Sequence, residues 1–526
     1  MTLGASFNTA VQALIVNQTA LGVVSNNIAN MNTQGYSKQR VNLEQAGYVT
    51  TGSANGLLNI GTGVSISNIQ RYRESYLDED FRNQSSSSSF YNELSNMAST
   101  IENTLNEIED DGLQNAYSSF YNSLSKLSSN PSSATYRMDF VQKAEDLCKK
   151  FNTSYSTLEK ARKDTVGDIT DAASIDESKV ATNLDIVNEK LKNLQALNEK
   201  IATSTSLDGN TASSLLDKRD SLLDELSEYI PIETTTNPTS HFVSVSMNGI
   251  SLIDATGLKQ FDVAMGDINN PTTVQVKDAN GNVVVANANS QIDSGKIGAY
   301  LQMGGGSTTE LTYKSMMDRL NTLASEFADT MNTIQTYDDG TNQAMAIGTD
   351  PVTGDQILSD YGGLPNLFTD ASGTTATTVT AGNIRVSDEI KQDYWKIAAA
   401  RVDTTTDADA DGTPDYDPRS IGNAENAKLF SATRSEKILG LGSQTMENYL
   451  NATVSEMGIK VDGIASNAET QNVVYTSSES RRQSAIGVNL DEELADMIKY
   501  QRAYEASARV FNVTNQILQT LVSLGS

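Results

Sequence analysis

The sequence predicts a mainly α, multi-domain protein with β-rich insertions, an α+β chain whose two ends pair as a coiled coil. Three observations predict it. Apolar residues at both ends recur by alternate threes and fours, the spacing of a narrow seam on one helix face. Helical stripes of similar period fill 90–230, 313–334 and 446–468. Two intervening segments lack that period: one carries Asn-Gly hairpin signals, the other is rich in Gly, Thr, Asp and Ala.

At the N-terminus Phe7, Leu14, Leu21 and Ile28 recur every seven residues, with Ala10, Val11 and Val24 beside them. The stretch from Ala29 to Tyr36 breaks this helix, because Asn and Gly favour turns and left-handed conformations. From Val41 to Ile69 no helical period survives. Gly52, Gly56, Gly61 and Gly63 punctuate short β-like pieces there, an extended connector containing a hairpin. The run Ser85 to Ser89 reads as the polar start of a helix, since Phe90, Leu94, Met97, Ile101, Leu105 and Ile108 follow at helical spacing.

A second stripe, Leu113 to Leu127, stops at Asn130-Pro131, where proline forbids propagation. Further stripes run from Phe140 to Leu158, Val180 to Ile201 and Leu215 to Ile230, together a bundle of long antiparallel helices ending near Pro231. Val243, Val245 and Met247 then alternate with serines up to Asn248-Gly249, and Val274 and Val276 lead to Asn280-Gly281: two hairpins, hence a small β domain. Helical spacing returns from Tyr313 to Ile334 and from Met446 to Ala468. The terminal helix carries its seam on Leu490, Leu494, Met497, Gln501, Tyr504, Ala508, Phe511, Asn515, Leu518 and Val522, starting from Asn489 as cap with Glu492 completing a capping box. Gln501 and Asn515 read as register-setting polar positions. The implied division is 1–35 with 489–526 as an inner terminal coiled coil, and 36–231, 298–337 and 430–488 as a helical body with its connector. Residues 232–297 form an inserted β domain, and 338–429 a second, variable outer insertion.

A formal net charge of -28 opposes a nucleic-acid groove, and no segment approaches the ~20 apolar residues of a membrane span, so neither nucleic acid nor membrane insertion is expected. Cys148 is the only cysteine and cannot close an internal disulfide; beside Leu147 it reads as a packing residue. His241 is the only histidine and opens a β-like run without an evident catalytic or metal partner, so no enzyme is expected. One stretch has cation-site spacing. Asp407, Asp409, Asp411 and Asp415, with Gly412, follow the oxygen-rich pattern that wraps Ca2+, although Pro418 stands where a bidentate Glu would close the loop. The other reading is a solvated acidic turn, and no other cofactor is expected.

The stretch Ser25 to Asn30, followed by Asn32 to Ser37, resembles the N-terminal signature of the axial proteins of the bacterial flagellum, the rod, hook and hook-associated subunits. Asn26, Asn27, Asn30, Asn32, Thr33, Gly35 and Tyr36 carry it. Val488 to Glu493 and Tyr500 to Val510 are similar to the C-terminal signature of the same group. Leu215 to Ser227 and Gly295 to Leu301 are similar to segments of the hook-associated subunits of the hook-filament junction, and not of hook or rod proteins. The resemblance covers 1–335 and 430–526 and stops across 338–429. It implies a structural adaptor at the hook-filament junction outside the cell, exported by the flagellar type III apparatus and polymerising with itself in a ring or helical layer. Implied partners are the hook protein, the filament-side junction protein and an export chaperone on the C-terminal helix. The implied assembly seam is Phe7, Leu14, Leu21 and Ile28 with Leu490, Leu494, Met497, Tyr504, Ala508, Phe511, Leu518 and Val522. Two alternatives stay open: a hook or rod subunit, and a flagellar scaffold whose insertion at 338–429 is a metal-dependent adhesion module or an enzyme.

Overall fold

A computed structural model describes residues 2–33, 35–53, 56–105, 112–204, 209–238, 240–307, 309–370, 379–406 and 416–524. The first helix, α1 (Thr2–Ala29), ends in the Asn-rich turn. The chain then runs out and back through β1 (Gln39–Gln45), β2 (Tyr48–Ser53), β3 (Gly56–Gly61) and β4 (Val64–Arg71). β1 pairs antiparallel with β4 and β2 with β3, and the bonds Ala46 N to Gly63 O and Thr62 N to Gly47 O join the two pairs into one ribbon. Val41, Ile66 and Ile69 of the ribbon's base pack on Ala20 and Val23 of α1.

The next helix, α2 (Ser75–Leu105), begins ten residues before the serine run that was expected to start it. Ser85, Ser86 and Ser88 are buried inside it. Their small side chains allow close approach of another helix, and serine is only modestly worse than alanine in a helix interior. The bundle continues through α3 (Leu113–Ser129), α4 (Ala134–Val166), the short α5 (Ala172–Asp176), α6 (Lys179–Ser204) and α7 (Gly209–Ser227). Ser133 caps α4 by accepting from the Tyr136 amide, directly after Pro131 has stopped α3.

Both Asn-Gly signals form hairpins. β5 (Glu233–Thr236), β6 (Val243–Met247), β7 (Ile250–Asp254) and β8 (Gly257–Leu258) make a four-stranded antiparallel sheet in that order. Asn248 and Gly249 both take positive φ at the β6-β7 turn, as the tight hairpin requires. β9 (Gln260–Met265), β10 (Thr272–Lys277) and β11 (Val283–Val285) form a second sheet. Two asparagines of α6 fasten these sheets edge-on: Asn198 brackets the Val243 backbone and Asn188 that of Phe261, each donating to the carbonyl and accepting from the amide. Sheets and helices share one core, in which Val245, Met247 and Val274 belong with Leu191 and Leu194.

After α8 (Gly295–Gly304) and α9 (Tyr313–Gln335) come β12 (Asn342–Thr349), β13 (Gln356–Ser359), β14 (Phe368–Thr369), β15 (Arg385–Val386), the short α10 (Asp388–Gln392) and β16 (Ala400–Asp403). β13, β12 and β16 form a small sheet with its own cluster of Met345, Leu358, Ala400 and Val402. Phe368 reaches inward instead. Its ring lies 5.0 Å from Phe327, which stands 5.2 Å from Phe120, itself 5.3 Å from Phe140. Arg137 of α4 is fully buried and donates to the carbonyls of Pro131 at 2.7 Å and Ile397 at 2.8 Å, tying the stretch before β16 to the bundle. The described part of 338–429 is therefore divided between an outer sheet and the body core.

The chain closes with α11 (Glu425–Ala432), α12 (Met446–Ile486) and α13 (Leu490–Leu524). α12 lies antiparallel along α2, where the Ser88 hydroxyl donates to Asn472 at 2.7 Å and the Ser478 hydroxyl to Asp80 at 2.6 Å. α13 lies along α1. Among the described residues no helix is long and apolar enough to cross a membrane.

Candidate assembly interface

The terminal helices meet the body at one elbow, and Asn27 is its centre. Asn27 is 1% exposed; its amide donates to the Gln39 carbonyl at 2.9 Å and to the Glu493 carboxylate at 3.0 Å. Its carbonyl accepts from the Gln39 amide at 3.0 Å and the Tyr36 hydroxyl at 2.8 Å. One side chain thereby joins α1, the first strand of the ribbon and the first turn of α13. The rest of the Asn-rich motif shapes the turn around it. Asn30 donates back to Asn26 at 2.9 Å, Thr33 donates to Asn30 at 3.2 Å, and Gly35 takes φ +78°, the left-handed region that favours glycine. Asn26 donates to the Tyr36 hydroxyl at 3.3 Å, and Asn32 sits exposed in the turn. Burial, then Asp217 and Glu493, push Tyr36 up to about 12, so its hydroxyl stays a donor to Asn27.

Asn489 accepts from the Asp491 amide at 2.9 Å and so caps α13. Glu492 does not complete the expected capping box; it pairs with Lys38 at 2.9 Å, and Lys38 also stands 3.3 Å from Glu493. The opposite charge of Lys38, just before the first strand, wins over the bond back to the cap.

Beneath the clasp, β4, the turn after it, α2, α7 and α12 bring together Arg71, Arg73, Arg82, Arg219 and Arg482 with Asp78, Asp217, Asp220 and Asp224. Arg73 bridges Asp78 at 2.8 Å and Asp220 at 2.9 Å, while Asp224 receives Arg82 at 2.8 Å and Arg482 at 2.7 Å. Arg71 also pairs with Asp220 and lies 3.0 Å from Asp217, though without hydrogen-bond geometry to the latter. Burial pushes Asp220 up, but Arg73, Arg71 and Arg219 outweigh it and hold the carboxyl below its usual range. At Asp217 burial wins over Arg71 and raises it. Because Asp220 is depressed, its contribution is present above the unfolded carboxylate value and is lost as pH falls through the folded one; Asp217 works in the opposite sense. The elbow should therefore hold at neutral pH and loosen below about pH 4. Rising protease sensitivity of the turn between α12 and α13 as pH falls through that range would register it, and flat sensitivity would not fit.

Along the paired helices the structure selects a neighbouring register. Phe7 and Phe511 meet with ring centroids 4.8 Å apart. Met497, Ala508 and Leu518 are half-buried, as are Leu14, Leu21 and Ile28; Ala10, Val16, Ala20, Val23 and Val24 lie deeper, because α1 is covered by α13 on one side and the ribbon on the other. The expected residues Leu490, Leu494, Tyr504 and Val522 are exposed, and so is Gln501. The buried or half-buried row is Glu493, Met497, Tyr500, Ser507, Phe511, Thr514 and Leu518, which again steps by fours, threes and sevens. Expected and observed seams share the positions 497, 511 and 518, Tyr504 being exposed, and differ by one residue in the other row. Hydropathy favoured Leu494. Glu493 takes the inner place because Asn27 and Lys38 satisfy its carboxylate, leaving it 2% exposed. In this register Leu494 and Val522 flank one side of the seam, Val510, Ile517 and Leu524 flank the other, and Ile498 and Val513 face outward, all exposed.

Asp407, Asp409, Asp411 and Asp415 lie outside the described residues. Among the described residues no group of three or more His, Cys, Asp or Glu is placed to hold a metal ion. His241 is exposed and its carbonyl accepts from Arg219 at 2.8 Å; Cys148 is buried, which pushes its thiol up and suits a packing role.

Three family profiles match the chain: "Flagellar hook-associated protein FlgK helical domain" over 98–350, "Flagellar basal body rod FlgEFG protein C-terminal" over 480–524, and "Flagella basal body rod protein" over 7–36. The chain is 27% identical to flagellar hook-associated protein 1 of Bacillus subtilis across 98% of its own length and 97% of the relative's. It is 24% identical to flagellar hook-associated protein 1 of Escherichia coli across 98% and 99%. The flagellar hook junction protein FlgK from Burkholderia pseudomallei shares the fold with a TM-score of 0.56, at 12% identity, over 78% of this chain and 100% of that one. Over nearly its whole length the chain is therefore similar to flagellar hook-associated protein 1, and over 98–350 it matches the helical domain of that protein.

Proposed function

We propose that this chain is the adaptor subunit between hook and filament. It leaves the cell through the flagellar type III apparatus, with a chaperone covering α13 until assembly. At the growing tip it polymerises with copies of itself in a ring or helical layer, between the hook protein and the filament-side junction protein. The observation that carries this reading is the pair of apolar rows flanking the terminal seam. Leu494 and Val522 on one side and Val510, Ile517 and Leu524 on the other stay exposed in the protomer. Soluble monomers seldom leave such rows uncovered. A subunit in a closed or helical layer has two neighbours and needs two different flanks that complement each other. Family profiles matched at both chain ends belong to rod-type proteins, and the helical-domain profile between them belongs to a hook-associated one, which supports assembly through the ends and a junction-specific body. Before export, the same apolar rows offer a chaperone its binding face.

Deleting the gene should leave hooks without filaments and release unpolymerised flagellin into the medium. Electron microscopy of the cells and immunoblots of the supernatant measure both. Normal filaments on the deletion strain would refute the adaptor reading.

A further inference from the structure

We propose that the β2-β3 arm of one copy inserts into a cavity between α1 and α7 of the next copy; this deepens, and rests on, the assembly reading above. The arm is unusual for this chain. Residues 45–70 contain no Asp, Glu, Lys, Arg or Pro, in a chain that carries 38 basic and 66 acidic residues. Within that stretch β2 and β3 pair with each other from Tyr48 opposite Gly61 to Ser53 opposite Gly56. They pack extensively on no other element among the described residues. Tyr48, at the arm's root, is 68% exposed. A two-stranded ribbon alone is marginal in water, and exposed edges are ordinarily guarded by charge or proline. An arm without either guard is suited to being covered.

The cavity has the matching chemistry. It is about 760 Å3, large enough for several side chains, and Thr19, Asn26, Thr33, Ser214 and Ser221 give it hydroxyl and amide walls. Gln39 also lines it; this residue is 6% exposed, and its side-chain carbonyl oxygen accepts no hydrogen bond among the described residues. A buried acceptor of this kind calls for a donor from outside the protomer. Asp217 lines the cavity too, with one carboxylate oxygen that accepts no hydrogen bond among the described residues, beside Lys218, so a neutral ribbon rich in Thr, Ser and Asn offers donors to both acceptors without adding a charge.

The arm cannot serve its own cavity. Thr9 donates to the Thr62 carbonyl, so the ribbon leaves α1 near residue 9, while the cavity lies near Asn26. Those points are 26 − 9 = 17 residues apart along one helix, roughly 25 Å at 1.5 Å per residue, and the ribbon continues away from the cavity. A copy displaced along the helix direction brings arm and cavity together head to tail, the heterologous contact that generates rings and helical layers.

The test uses the full chain in the deletion strain. Tyr48→Cys combined with Ser214→Cys should give a ladder of covalent multimers on oxidation of assembled junctions, and either single variant should give at most dimers; Cys148 is buried and does not compete. Tyr48→Asp should lower the fraction of filamented cells by about tenfold or more, with the purified monomer melting as the wild type does. No ladder from filamented cells, together with normal filaments on the Tyr48→Asp strain, would overturn the proposal. That failure is separable from failure of the adaptor reading, which would show as filaments on the deletion strain itself.

Discussion

Asp220→Ala is expected to cost about 3–5 kcal/mol and to free the terminal helices from the body, the largest effect of any single substitution at the elbow. Asp220 receives Arg73 at 2.9 Å and also pairs with Arg71, with Arg219 at 3.6 Å. All four side chains are about nine-tenths buried. Removing the carboxylate leaves three guanidinium groups facing one another, with Asp78 and Asp217 to share between them. Asp220→Asn should cost less, since the amide oxygen still accepts a hydrogen bond although the charge is gone. Calorimetry should place the change in the transition that releases α13, with the aromatic core around Phe120 and Phe327 melting as before. A variant that melts like the wild type throughout would show that the cluster is ornamental.

Asn27→Leu is expected to open the clasp at nearly the same shape and volume. It strands the Gln39 amide and carbonyl, the Tyr36 hydroxyl and part of the Glu493 carboxylate, each a buried group whose lost partner costs about 1–3 kcal/mol. Some of these groups will find water, so the sum is an upper bound. The direction is testable by limited proteolysis, with faster cleavage between Ile486 and Leu490 in the variant. Glu493→Gln in the Asn27→Leu background should add less than it does alone, because the two side chains share one hydrogen bond. Full additivity would argue that Asn27 and Glu493 do not act as a unit.

Much of the architecture was legible because the signals were local. Pro131 marks the end of α3, Asn248-Gly249 marks a tight hairpin, and the sevenfold recurrence at both ends marks a coiled coil; each needs only a few neighbouring residues to take effect. The serine run misled for a related reason. Its composition suggested a polar helix start, yet the small side chains serve a contact with α12, more than 380 residues away in sequence. The seam register was ambiguous in principle, since rows 494/501/508/515 and 493/500/507/514 both complete the positions 497, 511 and 518. What decides it is Asn27, 466 residues from Glu493. The arginines of the elbow were missed altogether. Arg71 and Arg73 two residues apart at the end of a strand were the one available hint, and only the fold brings Arg82 and Arg482 to the same aspartates. The fold of 338–429 was not legible because its short strands are held by contacts such as Phe368 on Phe327 and Arg137 on Ile397, which have no local pattern.

The central claim is that the chain's ends pair with each other and keep their outer apolar residues for neighbouring copies. Ile498→Asp tests it most directly. Ile498 is 59% exposed and faces away from α1, so the substitution should leave the monomer's melting within about 0.5 kcal/mol of wild type. In the assembled layer the same carboxylate would be buried without a partner, which is strongly unfavourable. Immunogold labelling of hook tips in the deletion strain carrying this variant should find folded, exported protein in the medium and none on the hooks. Hooks labelled at wild-type density and bearing filaments would contradict the account.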